Sequence, residues 1–217
     1  MTRHSVCSAL VLKLRPCGES NREAFFLASE TGVTRAYVYG GPKSRLRSSV
    51  SPFHSGDLYL YRGPARDSAL DRGKVTDFDV KKWRPGIRES YDRSMAAAAI
   101  ADTILASFGG GCDWAEALEQ ANASLDALDN ADSSGVSRVF IHFLRNWAEL
   151  TGAGANSAIT SAGMSEAAYR WLKASSALSA QEAAGLELDG GPEREAKRFC
   201  SSLIASAIGR RLKSWDW

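Results

Sequence analysis

Four of the six tyrosines, Tyr37, Tyr39, Tyr59 and Tyr61, fall within 25 residues, each in a short stretch where apolar and polar residues alternate. In Val33 to Tyr39, Ala36 and Val38 take one face of a strand and Arg35, Tyr37 and Tyr39 the other. In Asp57 to Arg62, Leu58 and Leu60 oppose Tyr59 and Tyr61. Such rings stack the bases of single-stranded nucleic acid for about 1 to 3 kcal/mol each while cations track the phosphates. The competing explanation is tyrosine's ordinary preference for strands and cross-strand contacts. Between the two stretches runs Gly40-Gly41-Pro42-Lys43-Ser44-Arg45-Leu46-Arg47-Ser48-Ser49, with three cations at alternate positions and no acid. A flexible cationic loop neutralises phosphates and releases counterions, which makes binding fall steeply with salt. The candidate site is therefore Lys43, Arg45 and Arg47 as phosphate contacts, with Arg35, Tyr37 and Tyr39 lining the strand path.

Enzyme signatures are absent from the sequence: it holds no G-x-x-x-x-G-K-[ST], H-E-x-x-H, G-x-S-x-G or complete G-x-G-x-x-G. Gly152-Ala153-Gly154 lacks a third glycine and follows a helical stretch, so it reads as a helix stop. His4, His54 and His142 have no carboxylate or nucleophile at a recurring spacing and read as surface or packing residues. Asp77 and Asp79 share a strand face, an arrangement that could serve acid/base or metal chemistry but is more commonly a pair of solvated edge charges. The cysteines, Cys7, Cys17, Cys112 and Cys200, form no C-x-x-C pair. Neither a disulfide framework nor a metal or other cofactor is expected.

These residues need a scaffold, and 217 residues make one or two domains of ordinary size. At 44% hydrophobic and 24% charged residues, the composition is that of a soluble globular protein. The net charge is only +2, yet residues 1–85 carry 15 Lys/Arg against 8 Asp/Glu and residues 86–217 carry 12 against 17. That asymmetry points to a basic binding surface in the first half, and charge alone fits chance and solvated faces equally well. The apolar run from Val6 is interrupted at Lys13, and Met95 to Phe108 is short for a bilayer span. A reduced, cytoplasmic protein with no membrane partner is expected.

The first 80 residues alternate at period two between turn signals. Leu10, Leu12 and Leu14 alternate with Val11, Lys13 and Arg15, residues 23–29 and 33–39 flank Glu30-Thr31-Gly32, a fourth strand runs over 53–61, and a fifth covers 69–80 with Gly73 as a bend. Five strands without a helix of normal length predict a small barrel over 1–83. The pattern turns helical after Trp83, giving a second domain over 84–217. One helix is predicted over 87–108 with Tyr91, Met95, Ala98, Leu105 and Phe108 inward. A second, capped by Asp113, buries Trp114, Leu118, Ala121, Leu125 and Leu128, and a third over 135–151 buries Val136, Phe140, Phe143, Leu144 and Trp147. Shorter pieces lie in 164–185. The last helix starts at Gly190-Gly191-Pro192 and turns Ala196, Phe199, Cys200, Leu203, Ile204, Ala207 and Ile208 inward, with Arg194, Lys197 and Arg198 on a solvated face.

Four landmarks in order resemble the bacterial RecO family of recombinational repair proteins. They are Ala9 to Arg22 with its Gly18-Glu19-Ser20-Asn21-Arg22 turn, Gly32-Val33-Thr34-Arg35-Ala36, Pro42-Lys43-Ser44-Arg45-Leu46, and Pro52-Phe53 leading to Leu58-Tyr59-Leu60-Tyr61-Arg62-Gly63. The likeness is close over about 5–108 and loose beyond, where Gly209-Arg210-Arg211-Leu212-Lys213-Ser214 is similar to the family's ending. The resemblance implies an α+β chain, all-β then all-α: a five-stranded OB-fold barrel that binds DNA, followed by a helical domain. It implies a non-enzymatic mediator that binds single- and double-stranded DNA, anneals complementary strands, and with RecR loads RecA onto strands coated with the single-stranded DNA-binding protein SSB, whose tail docks on the helical domain. Many family members carry two C-x-x-C pairs for zinc in that domain; Ala153 to Met164 holds no cysteine, so a shortened domain without zinc is expected. The alternative is an interaction adaptor whose barrel grips a protein partner.

Overall fold

In the computed structural model, residues 4–40, 44–62, 73–107, 112–153 and 163–217 are described. The chain divides into two compact units, Met1–Trp83 and Arg84–Trp217.

The first unit is a barrel of five strands: β1 His4–Cys17, β2 Asn21–Ala28, β3 Gly32–Val38, β4 Ser55–Tyr61 and β5 Gly73–Lys82. They close in the order β1-β2-β3-β5-β4, with β4 returning to β1. Neighbours are antiparallel except β3 and β5, which are parallel. This is the OB-fold arrangement. Small and large side chains alternate inside the barrel, where Ala9, Ala24, Ala28 and Ala36 leave room for Phe26 and Phe78, whose rings lie 6.1 Å apart.

Two register slips set which side chains face out. Pairing of β1 with β2 passes from Val11 directly to Lys13, so Leu12 is an extra residue. Ala9 and Val11 face the barrel core before it, and Leu14 packs there after it. Simple alternation puts Leu10, Leu12 and Leu14 on one face; the bulge changes the phase mid-strand and leaves only Leu14 of the three against the core. In β5, pairing passes from Asp77 to Val75, so Thr76 is extra, and Val75 and Phe78 point inward around the outward pair Thr76 and Asp77. Gly73 is the first residue of β5 and not a bend within it, and 69–72 lie outside the described residues. Gly56 is required in β4, because a Cβ there would stand 1.9 Å from the Asp79 carbonyl oxygen.

The segment after β3 is not loop throughout. Leu46–Ser49 form one helical turn, α1, and Leu46 and Val50 pack against the barrel core. Apolar residues at i and i+4 turn that face inward and leave Arg45, Arg47 and Ser48 exposed. Phe53 donates its N–H to the Val11 carbonyl (2.8 Å) and Val11 donates to that of His54 (2.9 Å), stitching the return to β1.

The second unit is helical: α2 Pro85–Glu89, α3 Tyr91–Ala106, α4 Trp114–Asn130, α5 Ser133–Leu150, α6 Glu166–Ser175, α7 Ala180–Gly185, α8 Gly190–Ile208, and a 3₁₀ turn Lys213–Trp215. The single helix predicted over 87–108 is two, because Ser90 is extended and its hydroxyl caps Arg93, restarting the helix at Tyr91. Tyr91, predicted inward, is 75% exposed, and the buried face runs through Ala96, Ala97, Ile100 and Ile104. A run of alanines gives the sequence no apolar contrast between faces, so the two larger isoleucines decide it. Phe108 lies outside the described residues. Asp113 caps α4 as predicted, and α5 buries Val136, Phe140, Phe143, Leu144 and Trp147. Arg84 is buried, donating from Nε to Asp126 (2.7 Å) and from Nη2 to the Asn122 Oδ1 (2.8 Å). In α8, Ala207 is exposed, contrary to expectation. Lys197 is not on a solvated face either: its ammonium lies 4.1 Å from the Trp217 ring centroid. Trp215, which periodicity left unassigned, is buried and donates from Nε1 to the Thr103 hydroxyl (2.9 Å).

Candidate nucleic-acid interface

The outward residues of the barrel form rows across its strands. One row follows the pairing Arg15, Glu23, Tyr37, Lys74, Tyr61, His4 through β1, β2, β3, β5, β4 and back to β1. A second joins Lys13, Phe25 and Arg35 on β1, β2 and β3. The Tyr37 and Tyr39 rings are 5.8 Å apart, and the Lys74 ammonium lies 5.3 Å from the Tyr39 centroid. The Arg15 guanidinium sits 4.9 Å over Phe25, and the Tyr61 and His4 rings are 5.1 Å apart. Strand alternation produces this face: Ala36 and Val38 are buried while Arg35 and Tyr39 are exposed and Tyr37 is half-buried.

α1 brings the basic segment to the same end of the barrel. Arg45 reaches β5, where its Nη2 bonds both Asp77 oxygens at 2.6 and 2.7 Å. The hydrogen bond from Arg45 holds the Asp77 carboxyl below its ordinary value, and Asp77 in turn raises Arg45. On the other side Arg22 of β2 donates to the Arg47 carbonyl oxygen (2.9 Å) and, at 3.4 Å, to that of Leu46. Burial, then the charge of Arg47, lowers the Arg22 guanidinium. α1 is thus tied to β5 through Arg45 and to β2 through Arg22, the two strands that flank β3 in the barrel.

The sequence-derived residues thus fall into two groups. Arg35 and Tyr37 share the outer face of β3 with Tyr39 directly after its end, Arg45 stands at the N-cap of α1 and Arg47 within it, while Lys43 lies outside the described residues. Arg45 is held by an acid rather than open to a phosphate. Lys74 is the main addition: it joins the tyrosines of β3 to Tyr61 of β4, and only the parallel pairing of β3 with β5 reveals it. Arg22 is the second, visible in the sequence only as part of the turn after Gly18. Asp77 and Asp79 do not form a metal or acid/base pair: Asp77 binds Arg45, and the neighbouring Asp57 binds Lys81 at 2.6 Å. Among the described residues no cluster of His, Cys, Asp and Glu could hold a metal. No helix among them is long and apolar enough to cross a membrane. His54 and His142 are buried packing residues, with ring nitrogens against the Ser49 carbonyl (2.9 Å) and the Leu178 carbonyl (3.0 Å).

An OB-fold barrel with cations and tyrosines on its outer strands, joined to a helical unit, is the class of protein that the fold defines. Comparison with known proteins narrows it. Residues 1–77 match the family "Recombination protein O N terminal". The DNA repair protein RecO of Pelotomaculum thermopropionicum is 32% identical over 98 residues, 44% of this chain and 36% of that protein. The DNA repair protein RecO of Nostoc punctiforme is 28% identical over 141 residues, 63% of this chain and 45% of that protein. The chain is similar to these RecO proteins, with the likeness carried chiefly by the barrel. The matched stretch spans less than half the length of these relatives.

Proposed function

We propose that this chain is a non-enzymatic DNA-binding mediator of recombinational repair. Its barrel binds DNA through phosphate contacts from Lys43, Arg45 and Arg47 and through a strand path along Arg35, Tyr37 and Tyr39. The observation that carries this reading is the outer face of β3, where two tyrosine rings 5.8 Å apart lie beside Arg35 and Lys74. Rings supply stacking and cations supply phosphate neutralisation, a combination suited to single strands. The relatives named DNA repair protein RecO support the repair setting. By the same kinship the chain works in the RecF pathway in the bacterial cytoplasm, anneals complementary strands, and acts with RecR to load RecA onto strands coated with SSB, whose tail meets the helical unit.

The test is fluorescence anisotropy of a labelled single strand titrated with the full chain at several salt concentrations, beside the Lys43→Ala/Arg45→Ala/Arg47→Ala variant. Tight binding that weakens steeply with salt is expected, with a shallower salt slope in the variant. Each lost phosphate contact on a single strand lowers the slope by about 0.7. No binding of bare DNA at low salt, with binding to RecR or the SSB tail retained, refutes the reading and makes the barrel a protein adaptor. Binding untouched by the triple change discards the loop as the site.

A further inference from the structure

The tyrosines of β3 do not stand alone, because the row they belong to continues through β5 and β4. Lys74 pairs with Tyr37 on one side and with Tyr61 on the other, and Tyr61 pairs with His4 of β1. We infer that Tyr61, backed by His4, is a second base-stacking position and that Lys74 takes the intervening phosphate, so that the barrel selects unpaired strands over duplex DNA. This rests on the DNA-binding reading above and adds to it which form of DNA the face discriminates.

Three observations carry the inference. First, β3 and β4 are separated by two strand spacings, about 10 Å, with one cation between them. An extended strand can lay one base on each ring and its backbone over the lysine. Second, Lys74 is exposed and its ammonium lies 5.3 Å from the Tyr39 ring. Third, the His4 ring 5.1 Å from Tyr61, inclined at 53°, braces the tyrosine from the β1 side. Tyr59, on the same face of β4, has a different setting: its pairing neighbours are Val6 and Asp77. The carboxylate beside that ring is already held by Arg45, and the lysine of the row pairs with Tyr61 instead, so the path uses Tyr61 and leaves Tyr59 aside. Bases in a duplex are covered on both faces by their neighbours and have no surface to offer a ring. The rings of the row therefore add affinity for single strands alone, whereas phosphate contacts from Lys74, Arg35 and Arg47 serve both forms.

The test uses the full chain with a labelled thymidine single strand of about 20 nucleotides, long enough to cover the about 4 to 16 nucleotides such a barrel occupies, and a hairpin duplex of equal phosphate number. Tyr61→Leu is expected to weaken single-strand binding about fivefold or more and to leave duplex binding unchanged. Tyr61→Phe keeps the ring and retains affinity, and Tyr59→Leu changes neither substrate. Lys74→Gln weakens both and lowers the single-strand salt slope by about 0.7. Equal losses on single strand and duplex with Tyr61→Leu, or no loss on either, overturn the inference, as does a Tyr59→Leu effect matching that of Tyr61→Leu. Wild-type protein that binds neither probe at low salt instead removes the DNA reading itself. A measurement independent of any variant's folding is photocrosslinking of wild-type protein to a strand carrying 5-iodouracil. A crosslink mapped to Tyr61 supports the inference, and crosslinks confined to Tyr59 or to the helical unit refute it.

Discussion

Asp77 already does to Arg45 what a phosphate would do. The Arg45 Nη2 lies 2.6 Å from one carboxylate oxygen, with both side chains open to solvent at 78% and 42% exposure. A DNA phosphate that recruits Arg45 must displace Asp77. Exposed pairs of this kind contribute little, so the displacement lowers DNA affinity by no more than about fivefold. Asp77→Asn removes the competing charge while its side-chain oxygen still accepts the Phe78 N–H that Asp77 holds at 2.8 Å. The expected result is a two- to fivefold gain in single-strand affinity, because the phosphate that meets Arg45 no longer has to displace an acid. The assay is anisotropy across a salt series for wild type, Asp77→Asn, Arg45→Gln and the double variant. If Asp77 acts through Arg45, its gain disappears in the Arg45→Gln background. Asp79→Asn, on the same face, measures the general effect of removing one acid. A gain of equal size with and without Arg45 refutes the reasoning and reduces Asp77 to a repelling charge. The pH dependence has a fixed sign. Because the paired carboxyl titrates below its ordinary value, the pair is complete above the ordinary carboxylate range and is lost as pH falls through the lowered value. The advantage of Asp77→Asn over wild type therefore narrows in acid.

Two further predictions concern stability. Gly56→Ala places a methyl group 1.9 Å from the Asp79 carbonyl oxygen, within a ladder that already slips between Ser55 and Gly56. It should destabilise the barrel by about 3 kcal/mol, read as a lowered urea midpoint, and a midpoint equal to wild type would show that the strands separate freely there. Burial pushes the Cys200 thiol up to about 12 from an ordinary 9.0, so the folded chain keeps a proton that the unfolded chain sheds. The thiol's contribution is therefore complete below about pH 9 and is lost as pH rises from there to about 12. Wild-type stability should fall more steeply across that window than that of Cys200→Ala, and parallel pH profiles for the two would refute it.

The sequence by itself determined the barrel's two-faced strands and the buried faces of α4 and α5. These follow from local periodicity: Ala36 and Val38 against Tyr37 and Tyr39, or Phe140, Phe143, Leu144 and Trp147 along one helix stripe, leave one way to bury the apolar set. Long-range pairing was not legible. The slips at Leu12 and Thr76 change which residues face outward, and a one-residue slip costs nothing that local alternation can sense. The meeting of Lys74 with both tyrosine strands depends on β3 running parallel to β5 across an intervening strand and helical turn, a contact no spacing encodes. The Arg45–Asp77 pair and the Arg22 bond to the Arg47 carbonyl join residues 32 and 25 positions apart. α3 shows the opposite limit, because an alanine-rich helix presents nearly equal faces and only its neighbours choose among them. Tertiary structure alone decided which cation is engaged by an acid and which lies between the rings, because charge and stacking act through space and the chain order does not record that distance.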